Sequence, residues 1–287
     1  MDFVQSLKQS QVRYIVYPTE IENMSFIKTL QKEGFQCFSA IDPRSALYIA
    51  TGIAAQNQEF VICIVSSSNA SRSVFSGMTE AYYRKLPIVL VTIGTELDYS
   101  IELGDVVQNH FIVSEQDDLR EILKKECPIH LELQTNLFEF SKTECSELQK
   151  GLGQILSEEH YLLIGPGIDR IKMNFKCKTV ASGMPNCSEG SLANVLGASL
   201  AHIRRRYIGL VSENEFIHDM NTLGNINMND LVLYIVVVNS LNQTIEDYAH
   251  SLNFEILNIK QEDDSCASLM NAVNSQKKTV LQYVRGQ

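Results

Sequence analysis

The sequence has no stretch that would carry the chain into or across a membrane. Its amino terminus lacks a basic segment followed by an apolar one, and no apolar run approaches the ~18 residues that a membrane-spanning helix needs. The 7 cysteines have no repeated spacing and form no Cys-X-X-Cys pair, which argues against a disulfide framework and a thiolate zinc site. We therefore expect a protein of the reducing cytoplasm without membrane contact.

Basic side chains are too few and too scattered for a nucleic-acid partner. The chain carries 24 Lys and Arg against 34 Asp and Glu, a formal charge of −10, whereas phosphate-backbone binding depends on clustered cations. The one dense basic run, Arg204-Arg205-Arg206, most simply solvates a turn, with a diphosphate contact as the other interpretation. Gly-X-Gly-X-X-Gly and Gly-Lys-Ser loops are also absent, which disfavours an unrelated nucleotide-binding α/β protein.

Apolar strand patterns alternate with helical ones along all 287 residues. Several strand runs are continuously apolar, which is typical of parallel strands covered on both faces. Residues 136–152 are polar and weakly patterned, and we interpret them as the connection between two domains. The sequence thus predicts two doubly wound α/β domains with parallel sheets, over residues 1–150 and 151–287. The predicted strands are 12–17, 35–40, 60–65, 87–92, 129–133, 161–164, 207–211, 231–238 and 279–284.

Three motifs of the first half carry a family resemblance. They are the small-residue helix Ala46 to Ala55, the turn Ser67-Ser-Asn-Ala-Ser-Arg72 and the pair Ser76-Gly77 in the next helix. In this order they resemble the pyrimidine-binding domain of thiamine-diphosphate-dependent enzymes. The resemblance extends over most of the chain. The family resemblance includes acetolactate synthase-like proteins. The chain has no room for the middle domain of acetolactate synthases, however, so its layout is similar to the compact phosphonopyruvate and sulfopyruvate decarboxylases.

The second half matches this family in the spacing of two strand ends. Ser212-Glu213-Asn214 follows one strand and Asn239-Ser240 follows the next, where the family has Gly-Asp-Gly and Asn-Asn. The resemblance implies that Glu213, Asn239 and Ser240 hold Mg²⁺ and that Ser212 and Asn214 contact the diphosphate. The alternative is that Glu213 and Glu215 only complement the amino end of the following helix.

Four further residues are implied as thiamine diphosphate contacts by their place in the family pattern. Ser68 lies in the small-residue turn, and Gln108 falls where related synthases line the cofactor pocket. Ser188 and Gly190 resemble a Ser-Met-Gly segment of the family, with Glu189 in place of the methionine.

The catalytic glutamate of the family aligns with Pro43, which offers neither a side-chain donor nor an acceptor. Asp42 is the neighbouring carboxylate and the one candidate to replace it. Asp before Pro is also a common turn initiator, and we give that interpretation more weight.

Two functional hypotheses follow from the resemblance. The first is a thiamine-diphosphate- and Mg²⁺-dependent decarboxylase or carboligase acting on a small 2-oxo acid. The second is a non-catalytic relative that keeps the fold as a binding or scaffolding module. The resemblance also implies a homodimer with the cofactor between subunits, and we expect a face carrying Val74, Phe75 and Met78 to be covered by the partner.

Overall fold

The chain folds into two compact units, Met1–Phe140 and Ser141–Gln287. In the described part, no helix combines the length and the apolar character that crossing a bilayer requires. The computed structural model describes residues 3–21, 25–66, 72–94, 103–135, 142–181, 189–201, 205–225, 228–261 and 265–286.

The first unit contains a six-stranded parallel sheet with the strand order β2-β1-β3-β4-β6-β5. The central strand β3 is buried at every position, as a strand between two helix layers must be. The strands are β1 (Tyr14–Pro18), β2 (Gln36–Ala40), β3 (Val61–Ser66), β4 (Ile88–Gly94), β5 (Asn109–Ser114) and β6 (Ile129–Gln134).

Helices cover both faces of this sheet. Helices α1 (Phe3–Gln9) and α2 (Ser25–Lys32) pack on one face, and α3 (Pro43–Asn57) and α4 (Phe75–Arg84) pack on the other. Short 3-10 turns span Thr19–Ile21 and Ile122–Lys124. Val74 and Met78 are fully buried in the core under α3 and α4, contrary to the expectation that a partner covers them, while Phe75 is exposed.

The second unit has its own six-stranded parallel sheet, ordered β11-β12-β10-β9-β7-β8. Its strands are β7 (His160–Ile164), β8 (Lys178–Ala181), β9 (Arg206–Ser212), β10 (Val232–Val238), β11 (Glu255–Lys260) and β12 (Thr279–Val284). Its helices are α5 (Ser146–Ile155), α6 (Ser191–Ala201), α7 (Glu213–Asp219), α8 (Gln243–Ser251) and α9 (Ser265–Asn274), with a 3-10 turn at Met220–Gly224.

The two sheets share one topology. When the strands of each unit are counted from one in chain order, both sheets read 2-1-3-4-6-5. Helices α5 and α9 cover one face of the second sheet, and α6, α7 and α8 cover the other. The prediction of two α/β domains with parallel sheets is confirmed.

The sequence did not predict three strands, β5, β8 and β11, and each of them lies at the edge of its sheet. Edge strands are solvated on one side, so they lack the continuous apolar run by which the inner strands are recognised. Strand β11, for example, has one buried position among its 6 residues.

The division between the units lies ten residues before the predicted one, and the predicted boundary falls inside α5. Residues 136–141 lie outside the described part, but the rest of the predicted connection includes most of this helix. Leu148 and Leu152, one helical turn apart, pack into the core of the second unit. The apolar stripe of this helix is short and lies among polar residues, so the sequence pattern indicates a connection where the structure has a helix.

Arg206 differs from the expectation that the basic run solvates a turn. Its side chain is 6% exposed, and the guanidinium donates to the carbonyls of Asp230, Ala272 and Lys277 and to the Thr279 hydroxyl. Burial lowers the pKa of Arg206 to about 10. This arginine connects the segment before β10 with the end of α9 and the start of β12.

Candidate functional site

The carboxyl edge of the second sheet collects most of the predicted binding residues. Strands β9 and β10 pair with Ser212 beside Val237, so the segments that follow them emerge side by side. Ligands of open α/β sheets gather at this edge. Gly190 also reaches it, because its neighbour Ser191 donates a hydrogen bond to Glu215 at 3.1 Å.

Glu215 forms the centre of this edge, although the sequence indicated it only as a helix-end charge. It is 1% exposed, and its carboxylate accepts from the Ser212 amide at 2.8 Å and the Ser212 hydroxyl at 2.9 Å. The Ser191 hydroxyl and the Gly167 amide donate to it as well. The reciprocal hydrogen bonds between Ser212 and Glu215 form a capping box at the start of α7.

The turn after β7 closes tightly over this carboxylate. A Cβ atom on Gly165 would overlap Glu215 Oε1, and one on Gly167 would lie 2.7 Å from Glu215 Oε2. Both positions therefore accept only glycine while Glu215 points inward. The pKa of Glu215 is raised, because the cost of burying its charge outweighs the favourable hydrogen bonds.

Glu213, the predicted metal ligand, is engaged by the chain itself. Its Oε1 accepts from Asn242 Nδ2 at 2.7 Å. Asn242 is also the N-cap of α8, where its Oδ1 accepts from the amides of Thr244 and Ile245. The amide side chain is thus held from both ends and fixes the carboxylate of Glu213 beside it.

Asn239 faces a cation instead of presenting a free oxygen. Strands β10 and β12 pair Val238 with Val284, which brings the next residues, Asn239 and Arg285, together. Arg285 Nε donates to Asn239 Oδ1 at 2.6 Å. Ser240 follows in the exposed turn.

Asn214 and Gly190 have ordinary local roles in the structure. Asn214 is exposed in the first turn of α7. Gly190 has a φ of +89°, a backbone conformation that residues other than glycine rarely adopt. Its carbonyl accepts a hydrogen bond from Asn194 Nδ2 at 2.8 Å. Together they mark the start of two neighbouring helices at the edge.

Asp42 is the N-cap of α3 in the first unit. Its carboxylate accepts from the Ser45 amide at 2.7 Å and from the Ser45 hydroxyl at 2.8 Å. Pro43 occupies the first helical position, where its missing amide hydrogen costs nothing. This is the helix-initiating role that Asp before Pro commonly takes.

The remaining predicted contacts do not join this arrangement. Gln108 is exposed just before β5, at the amino end of the first sheet, and its backbone amide donates a hydrogen bond to the Pro128 carbonyl. The ligand edge of a parallel sheet is the opposite one. Ser68 and Ser188 lie outside the described residues.

The predicted residues as they stand do not fit a magnesium-anchored diphosphate. Mg²⁺ requires free oxygens in a tight octahedron, whereas one oxygen of Glu213 and the oxygen of Asn239 already accept from side chains. The Arg285 guanidinium beside Asn239 would repel the cation. Glu215 also places a buried carboxyl group at the same edge, and an ionised carboxylate repels phosphate.

Sequence reasoning missed Glu215, Asn242 and Arg285 as residues of this edge. For Glu215 a signal existed, since Ser212 and Glu215 have the Ser-X-X-Glu spacing of a capping box. For Arg285 there was none, because its contact depends on the pairing of β10 with β12.

Comparison with known proteins finds a family that matches the first unit. Residues 2–116 match the family described as thiamine pyrophosphate enzyme, N-terminal TPP binding domain. Among curated proteins, 2-succinyl-5-enolpyruvyl-6-hydroxy-3-cyclohexene-1-carboxylate synthase of Flavobacterium johnsoniae is 29% identical over 75 residues, 26% of this chain and 13% of that protein. The synthase of the same name from Phocaeicola vulgatus is 29% identical over 93 residues, 32% of this chain and 17% of that protein.

A third synthase of this name, from Christiangramia forsetii, is 25% identical over 130 residues, 42% of this chain and 22% of that protein. The aligned parts thus span less than a quarter of these relatives. The family match and the two α/β units support the same assignment. Over residues 2–116, the first unit is similar to the N-terminal domain of thiamine-diphosphate-dependent enzymes.

Proposed function

We propose that this chain is a non-catalytic binding or scaffolding module, which keeps the two-unit fold without the magnesium-diphosphate site. The observation that carries the proposal is the buried carboxyl of Glu215, which accepts four hydrogen bonds from the chain at the carboxyl edge of the second sheet. The carboxyl of Glu215 thereby uses hydrogen-bond donors that an anionic ligand would need.

The first unit supports the same proposal. Pro43 stands where the resemblance places the catalytic glutamate, and the neighbouring Asp42 already accepts two hydrogen bonds from Ser45. A carboxylate committed to its own helix is poorly suited to promote proton transfer in a cofactor ring.

The second candidate function is a thiamine-diphosphate- and Mg²⁺-dependent decarboxylase or carboligase of a small 2-oxo acid. The family match favours it, as do relatives whose name is that of a carboxylate synthase. It requires Glu213 to leave Asn242 and Asn239 to leave Arg285 when metal binds.

Calorimetric titration with thiamine diphosphate, with and without Mg²⁺, separates the two candidates. We expect no Mg²⁺-dependent binding to the wild-type chain and no consumption of pyruvate, used as the test 2-oxo acid. Binding that requires Mg²⁺, is lost in Glu213→Gln and is kept in the exposed control Glu159→Gln would overturn the proposal in favour of the enzyme.

We also propose that the chain forms a homodimer through α3 and α4. Four large side chains of these two helices are exposed, an unusual concentration of apolar surface for an isolated subunit. They are Tyr48 at 46%, Ile49 at 41%, Phe75 at 41% and Tyr83 at 79%.

Sedimentation at micromolar concentration tests the dimer. Tyr83→Asp should shift the chain toward monomer, because it places a charge in the proposed interface. Thr29→Asp adds the same charge to the exposed side of α2, on the other face of the sheet, and should leave the dimer intact. A monomeric wild type, or equal effects of the two variants, would contradict the proposed interface.

A further inference from the structure

Strands β5 and β6 bring two histidines and a glutamate together in the first unit. The strands pair in parallel with His110 beside His130 and Ile112 beside Glu132. Because alternate residues of a strand point to the same face, His130 and Glu132 project on one side together with His110. One potential ligand atom from each of the three lies within 4.8 Å of the others.

The contacts inside this group are close but leave an acceptor unsatisfied. The two imidazole rings are stacked with centroids 4.8 Å apart. His110 Nε2 lies 2.8 Å from Glu132 Oε1, yet within the described residues this buried oxygen has no hydrogen-bond donor of acceptable geometry. A buried carboxylate oxygen without a well-aligned hydrogen-bond donor is costly, and a bound cation satisfies it.

His130 is buried and oriented by Thr92. Thr92 Oγ1 lies 3.0 Å from His130 Nε2 and can itself donate to the Leu131 carbonyl. In that arrangement Nε2–H donates to Thr92, and the Nδ1 lone pair is left for a ligand.

We propose that His110, His130 and Glu132 form a site for a divalent transition cation, Zn²⁺ above all. Two imidazoles and one carboxylate are a donor set that suits zinc, whereas Mg²⁺ prefers oxygen donors alone. Zinc–ligand bonds near 2.1 Å place ligand atoms about 3.3 Å from one another, so the three atoms, now within 4.8 Å, would have to adjust their separations by side-chain rotation.

The site is open to solvent on one side. His110 is 43% exposed and Ile112 beside it is 55% exposed, because β5 is the edge strand of the sheet. A cation can therefore enter, and water can complete its coordination. His110 and His130 are the second residues of their strands, so the site lies toward the amino ends and away from the ligand edge of the sheet.

The ion would act as a clip between the edge strand and its neighbour. An edge strand has hydrogen-bonded neighbours on one side alone, so a ligand bond from β5 to β6 adds what the sheet cannot supply there. Metal bound to the folded chain but not to the unfolded one raises stability in proportion to its affinity.

Cobalt titration of the full, untagged chain tests this site, with Co²⁺ as a spectroscopic probe for Zn²⁺. We expect one Co²⁺ per chain with visible d–d bands, no thiolate charge-transfer band, and displacement by Zn²⁺. His110→Gln and Glu132→Gln should each weaken binding by about a hundredfold, and Thr92→Val by about tenfold. The exposed His250→Gln should bind as wild type does.

Stability supplies a second readout that does not depend on the spectrum. Zn²⁺ should raise the midpoint of thermal unfolding of wild type and of His250→Gln but not of His110→Gln, whose partly exposed side chain can be replaced without loss of the fold. Absence of Co²⁺ binding at micromolar protein, thiolate bands in the spectrum, or equal affinity in His110→Gln would each overturn the proposal.

Discussion

Individual side chains at the carboxyl edges of the two sheets are satisfied by the chain itself. Asp42 caps α3, Glu213 binds Asn242, and Glu215 accepts from Ser212, Ser191 and Gly167. A carboxylate that already accepts hydrogen bonds from its own chain has fewer lone pairs left for an external cation. At the scale of residues, local hydrogen bonding therefore competes directly with ligand binding.

Glu215 should make the stability of the chain depend on pH in a defined direction. Its pKa is raised from 4.5 in the folded state, so between the unfolded and folded values the native state binds more protons. Stability from this group is consequently highest at low pH and falls as the pH rises above 4.5.

Urea unfolding of wild type and Glu215→Gln between pH 4 and pH 8 measures this effect, because glutamine keeps the shape without titrating. The free energy of unfolding of wild type, relative to the variant, should decrease with rising pH. A difference that is constant, or that increases with pH, would contradict the burial argument.

Asp42 should contribute to stability as a cap and not to turnover. Asp42→Ala removes the acceptor for the Ser45 amide and should lower the free energy of unfolding by about 1 kcal/mol, whereas Asp42→Asn keeps an acceptor oxygen and should cost little. Chemical denaturation measures both. If the wild type consumes a 2-oxo acid and Asp42→Asn does not, Asp42 has a role in turnover that helix capping does not explain.

Pairs of elements depend on close approach at a few small residues. Helices α3 and α4 pack with Gly77 against Leu47, where an added Cβ would lie 2.8 Å from Leu47 Cδ2. Since Gly77 belongs to the Ser-Gly pair by which the sequence resembles the family, the resemblance at this position has a packing cause.

Gly77→Val should therefore destabilise the chain by about 2 kcal/mol through overpacking. Gly197→Val is the matched control, because this glycine also lies within a helix but a Cβ there would meet nothing within 4 Å. Its free energy of unfolding should change by less than about 0.5 kcal/mol. Thermal or urea unfolding of both variants measures the effect. Equal losses of unfolding free energy in the two variants would rule out the contact with Leu47 as the cause.

The whole molecule repeats one strand topology in two units without close similarity between their sequences. Each unit has helices on both faces of its sheet and two apolar core clusters of its own. A unit with a complete core is expected to fold by itself.

Fragments 1–140 and 141–287 should each fold cooperatively when expressed alone. Fragment 151–287 begins inside α5 and lacks Leu148, whose burial contributes about 2 kcal/mol, so it should unfold at a lower temperature than 141–287. Circular dichroism melts of the three fragments provide the measurement. Equal midpoints for 141–287 and 151–287 would place the boundary where the sequence pattern predicted it.

The sequence by itself determined the class of fold. Continuous apolar runs at β3, β4, β9 and β10 require burial on both faces, and such strands alternate with helices in parallel sheets. The same local logic failed at the half-solvated edge strands and at α5, where the apolar signal is short. The sequence also predicted which residues lie at strand ends, because the spacing of apolar runs sets where each strand stops. These residues are Ser212, Glu213, Asn239 and Ser240.

Only the tertiary structure decided which partners these side chains have. Arg285 reaches Asn239 across 46 residues, and Ser191 reaches Glu215 across 24, through strand pairing and helix packing that no local pattern encodes. His110 and His130 likewise became neighbours through the register of β5 and β6. The chemistry of a polar group depends on the donors and charges that surround it, and in this chain long-range register supplies those that the local pattern does not.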